Sequence, residues 1–331
     1  MNGAYPTYAA KRLAQAAVVI LLAYVFTFVV VSILPGDPIT SVLRNPQNGF
    51  TEEEIAQIVA AQGLDRPVLV QLWSSLSGFL TGDLGLSMRS SRPVTTMIAE
   101  VLPSTLILAT SALFLAVVLA VVIAYGTQVV PRRYGQGLLR AFPSLFLSVP
   151  NFVIGLVLIH LFGFQLGLFR VINPDSAWAT FFAAITLAIP ISAQIAEVLI
   201  ASLDHEAGQD YIAVARGRGL PPFRLFTRHL LKPSSLPVVT VIALTIGELL
   251  GGSLITETVF GRTGIGSLVQ RSVSTQDLPV LQAVVSLAAV VFVLSNLIAD
   301  LVYPLLDPRV KLLGARAPRT SAPKPAGATA P

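Results

Sequence analysis

The chain contains no cysteine, which excludes a disulfide framework, a thiolate-held metal and thiol nucleophile chemistry. Charge is also scarce: Asp, Glu, Lys and Arg make up 12% of 331 residues, against about 25% in a soluble domain. The three histidines, His160, His205 and His229, are scattered and form no H-E-x-x-H or comparable ligand spacing, so no metal site is expected. There is no G-x-x-x-x-G-K-[ST] loop to cradle ATP phosphates. Nor is there a G-x-S-x-G elbow, and the clustered serines lack a His/Asp partner, which argues against an intramembrane protease. The formal net charge of +5 does not indicate nucleic acid, because the basic residues are spread along loops without interleaved aromatics. No catalytic residue is therefore expected.

What the chain does have is apolar length. Hydrophobic residues make up 54% of it. Six stretches, near 13–35, 102–127, 141–163, 179–203, 237–256 and 281–305, approach the roughly 20 apolar residues needed to cross a bilayer. Lys11-Arg12 followed by an apolar run imitates a signal peptide. The run extends to Gly36 without a small-residue cleavage box, so a retained first span is expected. With the N-terminus in the cytoplasm, 15 of the 22 Lys and Arg residues fall on inner segments, as the positive-inside rule requires.

The segments between the spans divide the chain further. Residues 1–12 form a cytoplasmic N-terminus, 13–35 the first span and 36–101 an extracytoplasmic helical loop. Residues 102–306 form a five-span core, and 307–331 a cytoplasmic tail whose Pro/Ala-rich end reads as disordered. In the outer loop, Thr51 and Glu54 write a capping box, Gly63 a helix stop and Pro67 a second start. Pro143, Pro150, Asn151 and Gly155 predict a kink or hinge in the third span. Intramembrane acids are costly and mark functional positions. Glu197 and Asp300 lie near inner span ends, within reach of the interface or an arginine. Glu248 lies near mid-span beside Gly247, Gly251 and Gly252, and either lines a wet pathway or is buried and hydrogen-bonded.

Residues 204–236 form a charged island in this apolar chain. Asp210 reads as an N-cap, Tyr211 to Arg218 as a helix, Gly219 as a left-handed stop and Pro221-Pro222 as the opening of another helix. An eight-residue helix is marginal alone, so something must hold it. Ala213, Val214, Ala215, Arg216, Arg218, Gly219 and Leu220 complete this candidate docking knob.

The run A-V-A-R-G-R-G from Ala213, with L-L-K ending at Lys232, resembles the cytoplasmic EAA loop of ABC-importer permeases, the element that plugs into the ATPase. Gly219 falls on the motif's glycine and Ala215 on its second alanine. Ala213 stands in for the glutamate, Val214 for the first alanine and Lys232 for the final proline. ARGRGL with RHLLKP is similar to the dipeptide and oligopeptide branch. GLDRP, GDLGLS and RPVTTMIAEVLPSTLIL resemble that branch's outer loop and second-span entry. Residues 257–280, with Glu257, Phe260, Gly264 and Gly266, resemble its outer re-entrant segment, with Thr263 at the expected proline.

The resemblance implies an all-α membrane protein of six transmembrane helices, like a type I ABC importer, with an extracytoplasmic lobe between the first two. Its implied task is to form half of a pore for dipeptides, oligopeptides, metal chelates or haem-like compounds. The implied partners are a second homologous permease, two ABC ATPase subunits, an extracytoplasmic substrate-binding protein or lipoprotein, and membrane lipids. No cofactor is expected on this chain, ATP and Mg being held by the ATPases, and the implied location is a prokaryotic inner membrane. Glu248, Gly247, Gly251 and Asn151 are the candidates for the translocation pathway. A proton-coupled secondary transporter acting as a dimer is the alternative, opposed by the lack of an inverted repeat and by the otherwise idle cytoplasmic helix-turn-helix.

Overall fold

The computed structural model describes residues 4–33, 51–62 and 66–306. The Pro/Ala-rich tail, Gly63 and part of the outer loop lie outside the described residues. The helices are α1 (Ala4–Ile33), α2 (Glu52–Gln62), α3 (Val68–Thr81), α4 (Val94–Val129), α5 (Gln136–Leu147) and α6 (Asn151–Leu158), the last continuing as a π-helical turn over Ile159–Gln165. They are followed by α7 (Ala177–Ala207), α8 (Asp210–Gly217), α9 (Pro222–Leu225) with a π-helical turn over Phe226–Leu230, α10 (Leu231–Phe260), α11 (Ile265–Ser274) and α12 (Leu278–Leu306). Among the described residues the only β pairing is an isolated bridge between Leu86 and Pro93.

Five segments are long and apolar enough to span: Tyr8–Val30, Val94–Val129, Ala177–Ala207, Pro222–Leu249 and Leu278–Leu301. The third expected span, 141–163, is not one kinked helix. It is a pair, α5 and α6, bent by 105°. Pro150 lacks an N–H and drives the preceding residue away from helical geometry, so the helix stops and restarts at Asn151. The fifth span also differs from expectation: helix runs from Pro222 to Phe260, with Pro237 accommodated inside α10, where 237–256 was expected.

The core is built on small residues. Ala112, Ala116, Ala120 and Ala124 recur every fourth position on α4 and are fully buried, as are Ala183, Ala184 and Ala188 on α7. Such ridges let two backbones approach closely, which matters in a membrane where lipid is as apolar as leucine. α7 is therefore the central helix, packed by α4, α5, α6 and α10. At its Asp204 end the bundle carries an ionic clamp. Arg140 of α5 binds both Asp204 oxygens, at 2.6 and 2.9 Å, and Gln128 of α4 donates to one of them at 3.1 Å. α1 packs on α12, where Arg12 pairs with Asp300 at 3.2 Å, the arginine contact that the position of Asp300 suggested.

The predicted capping box is formed: the Thr51 amide donates to Glu54 Oε2 at 2.8 Å, and the Glu54 amide to Thr51 Oγ1 at 3.3 Å.

Candidate coupling helix and outer latch

After α7, Gly208 and Gln209 turn the chain, and Gln209 in extended conformation takes the N-cap position of α8. Asp210, expected as the cap, is instead the first helical residue and makes no capping bond. The helix is thus shifted one residue back from the expected Tyr211–Arg218. Its charges still suit its dipole, Asp210 in the first turn and Arg216 in the last. Gly219 takes φ +73°, a left-handed conformation that favours glycine. The Gly219 amide donates to the Arg216 carbonyl, and Pro221 and Pro222 open α9.

One face of α8 is committed inward. Ile212 is fully buried and Ala215 nearly so, in a cluster with Leu199, Leu203, Leu225, Phe226 and Leu230. Tyr125 at the end of α4 meets Phe223 and Phe226 edge-on, at 5.9 and 5.0 Å between ring centres. These contacts supply the support that so short a helix requires. Ala215, expected on the docking knob, thus turns toward the chain's own core. Ala213, Val214, Arg216 and Arg218 are exposed, as are Tyr211 and Phe223, and Leu220 is half-buried. Tyr211 donates to Glu206 Oε2 at 2.6 Å, and its phenol is pushed up to about 12 by burial and by that carboxylate.

At the opposite end of the bundle, Glu257 is fully buried near the end of α10. It accepts from Thr105 Oγ1 at 2.7 Å, from the Ser267 amide at 3.2 Å and from the Gly266 amide. The carboxylate thereby caps the N-terminus of α11, where amides are unpaired and the dipole is positive. The glycines are dictated by this closeness. A Cβ on Gly264 would lie about 2.2 Å from the carboxylate, and one on Gly266 2.3 Å from the Leu254 Cα. Phe260 is buried and stacks on Phe169. Thr263, at the expected proline, does not prevent the turn: Gly261 takes φ +69° and the Arg262 amide returns to the Glu257 carbonyl.

Two further residues complete this cluster. Arg262, nearly buried, donates to the Pro174 carbonyl (2.6 Å), Thr180 Oγ1 (2.7 Å) and Ser104 Oγ (3.1 Å), pinning the loop before α7. Asp277 accepts from Ser87 Oγ and from the Met88 amide, which ties the loop before α4 to α12. Asp277 lies in the Asp-x-Pro run that forms part of the resemblance of residues 257–280 to the dipeptide branch, whereas a lone arginine in a polar loop gave no signal for Arg262.

The pathway candidates separate. Glu248 is exposed and has no hydrogen bond or ion pair among the described residues. It shares one exposed stripe of α10 with Leu244, Gly251 and Ile255. Gly247 instead meets Phe292 of α12, whose ring would lie 2.1 Å from an added Cβ. Asn151 donates to Thr256 Oγ1 at 3.2 Å, while its Oδ1 is buried without a partner. Glu197 is exposed in a cleft of about 210 Å³ with Arg140, Ser144 and Asp204. Among the described residues, no three His, Asp or Glu converge as a metal site.

Comparison with known proteins agrees with this architecture. Residues 112–312 match the model of the binding-protein-dependent transport system inner membrane component, and residues 7–109 match its N-terminal companion. Glutathione transport system permease proteins GsiC of Escherichia coli, Shigella boydii and Salmonella paratyphi A are each 32% identical over 305 residues, covering 92% of this chain and 98% of theirs. A solved structure of the MetNI methionine ABC transporter in an inward-facing conformation shares the fold, with a TM-score of 0.53 at 18% identity over 63% of this chain and 96% of that one. The chain belongs to the binding-protein-dependent transport system inner-membrane components, the permease subunits of ABC importers.

Proposed function

We propose that this permease forms half of the pore of an ATP-driven importer for small peptides, including glutathione-like tripeptides, and that α8 is its contact with an ATPase subunit. The observation that carries the coupling role is the two-sided build of α8. Ile212 and Ala215 fix it to the inner ends of α4, α7 and α9, while Tyr211, Val214 and Phe223 stand exposed. A peg fastened this way moves as a rigid body with the helices it is fastened to, which a nucleotide-driven closure of the ATPases requires. The Arg140–Asp204–Gln128 clamp, six residues before α8, extends that fastening to α5 and α4.

The distribution of Lys and Arg supports a cytoplasmic N-terminus and a cytoplasmic α8. The partners on this reading are a second permease, two ATPase subunits carrying ATP and Mg, and an extracytoplasmic binding protein. The peptide class rests on the similarity to the GsiC permeases over 92% of the chain. Glu248 on the exposed stripe of α10 faces the pore, where its carboxylate meets the amino terminus of a passing peptide, since a bare carboxylate against lipid is costly.

The test is uptake of labelled glutathione and of a dipeptide into proteoliposomes holding the assembled importer, with binding protein on one side and ATP on the other. Uptake should require ATP and persist with a protonophore present. Uptake that ignores ATP and collapses with the proton gradient would instead establish the secondary transporter.

A further inference from the structure

We propose that α3, in the lobe between the first two spans, is a membrane-embedded interfacial helix whose Leu69–Trp73–Leu76–Leu80 stripe lies against lipid acyl chains. The inference requires only that the bundle spans a bilayer and is independent of the cargo.

The first observation is depth. Arg12 and Asp300 form an ion pair whose side chains are about one-third exposed, and charges avoid the hydrocarbon, so the pair marks one boundary of the bilayer. Tyr24 lies twelve residues further along α1, about 18 Å at ~1.5 Å per residue. Gln282 lies eighteen residues from Asp300 along α12, about 27 Å. Ser75 of α3 sits between the two, 2.6 Å from Tyr24 Oη and 3.3 Å from Gln282 Nε2. The hydrocarbon is about 30 Å thick, so the middle of α3 lies within the far leaflet or at its edge, below the bulk water.

The second observation is the division of the α3 surface into three stripes. Leu72, Ser75 and Phe79 face the protein, with the Phe79 ring 4.6 Å from that of Tyr24. Val70, Ser74, Ser77 and Thr81 make an exposed stripe rich in hydroxyls. Between these two lies the apolar stripe, where Leu69, Trp73 and Leu80 are 80%, 74% and 76% exposed. Protein, apolar and hydroxyl faces in that order around a helix are what one lying in the plane of the interface needs, protein beside it, acyl chains beneath and water above. Both contacts with α1 converge on Tyr24, and the third joins Ser75 to Gln282 of α12, so α3 crosses α1 rather than running along it.

The third observation concerns length, charge and surroundings. α3 has fourteen residues and no charged side chain, too short to span at about 21 Å. By contrast α2, in the same lobe, opens with Glu52, Glu53 and Glu54. α1, on which α3 packs through Tyr24, leaves Val18, Val19, Leu22, Phe26 and Val30 about half or more exposed, an apolar surface that requires lipid. A tryptophan at this level suits the membrane interface, where Trp is enriched.

The absence of cysteine makes the test direct. A nitroxide is attached to Trp73→Cys, Leu80→Cys or Ser77→Cys in the full chain in phosphatidylcholine nanodiscs, alone and with its partners. Relaxation by oxygen, which concentrates in acyl chains, is compared with relaxation by a water-soluble nickel chelate. At 73 and 80 oxygen should dominate, with or without partners, and at 77 the chelate should. Chelate dominance at 73 and 80 would overturn the proposal in favour of a water-facing lobe. Protection from both agents would overturn it in favour of a protein-covered face, the second permease if protection appears only in the assembly.

Discussion

Replacing Glu257 with alanine leaves the N-terminus of α11 and the Thr105 hydroxyl without their acceptor and destabilises the purified chain by on the order of 3–5 kcal/mol, the scale for removing one partner from a buried polar network. The carboxylate receives three donors from two other elements: the Thr105 hydroxyl and the Ser267 and Gly266 amides. Without it those groups stay buried, because Ile265 and Leu268 remain packed beside Val94, Ile98 and Val280. Glu257→Gln should retain part of the effect of the native residue, since one oxygen still accepts from Thr105 while the new NH2 opposes the amides. Gly266→Ala should approach the alanine variant at 257 by a different route, because its Cβ would lie 2.3 Å from backbone at Leu254, which cannot rotate away. Thermal melting of the detergent-solubilised chain reads all three. Melting of Glu257→Ala within a degree of the unsubstituted chain would show that the outer helix is held by its apolar contacts alone.

A second large effect is expected at Val214, this time on transport rather than folding. Val214→Asp places a charge on the exposed side of α8, 55% accessible in the chain itself, where substitution is cheap for folding. Docked against an ATPase, the same carboxylate is desolvated without a partner. A hot-spot loss of about 2 kcal/mol or more weakens the contact roughly 30-fold. ATP-driven uptake should therefore fall at least about tenfold while insertion and melting stay unchanged. Ile212→Asp is the contrasting variant: Ile212 is fully buried, so it should lower expression and melting along with uptake. Ala215→Asp belongs with Ile212, because Ala215 packs inward and its substitution would confuse unfolding with uncoupling. Full uptake by Val214→Asp would remove this face from the coupling path.

The sequence was most informative where the physics is local. The Thr51–Glu54 capping box spans four residues, as does the Gly219 turn with the Pro221-Pro222 restart, so each could be read directly. The apolar spans were legible because their length is set by the bilayer. The bend at Pro150 was not, since a proline kinks a membrane helix or ends it depending on what its neighbours satisfy. Here Asn151 restarts the helix with its amide bound to Thr256 on α10, more than one hundred residues away. The inward face of α8 was hidden for a related reason. Eight residues carry apolar side chains on both sides, and only contact with Leu203 and Leu225 decides which side is core. The Arg140–Asp204 clamp and the burial of Arg262 join residues 64 or more apart, and no spacing rule announces them.

The docking of α8 is tested most directly by a single cysteine at Val214 in this naturally cysteine-free chain, armed with a short photoactivatable crosslinker in the assembled importer. The residue should crosslink to the ATP-binding subunit, with a yield that changes between the nucleotide-free and ATP-bound states, if α8 docks there. That docking is contradicted if Val214→Cys never captures that subunit in an assembly that transports, or if it reacts only with reagents confined to the extracytoplasmic side.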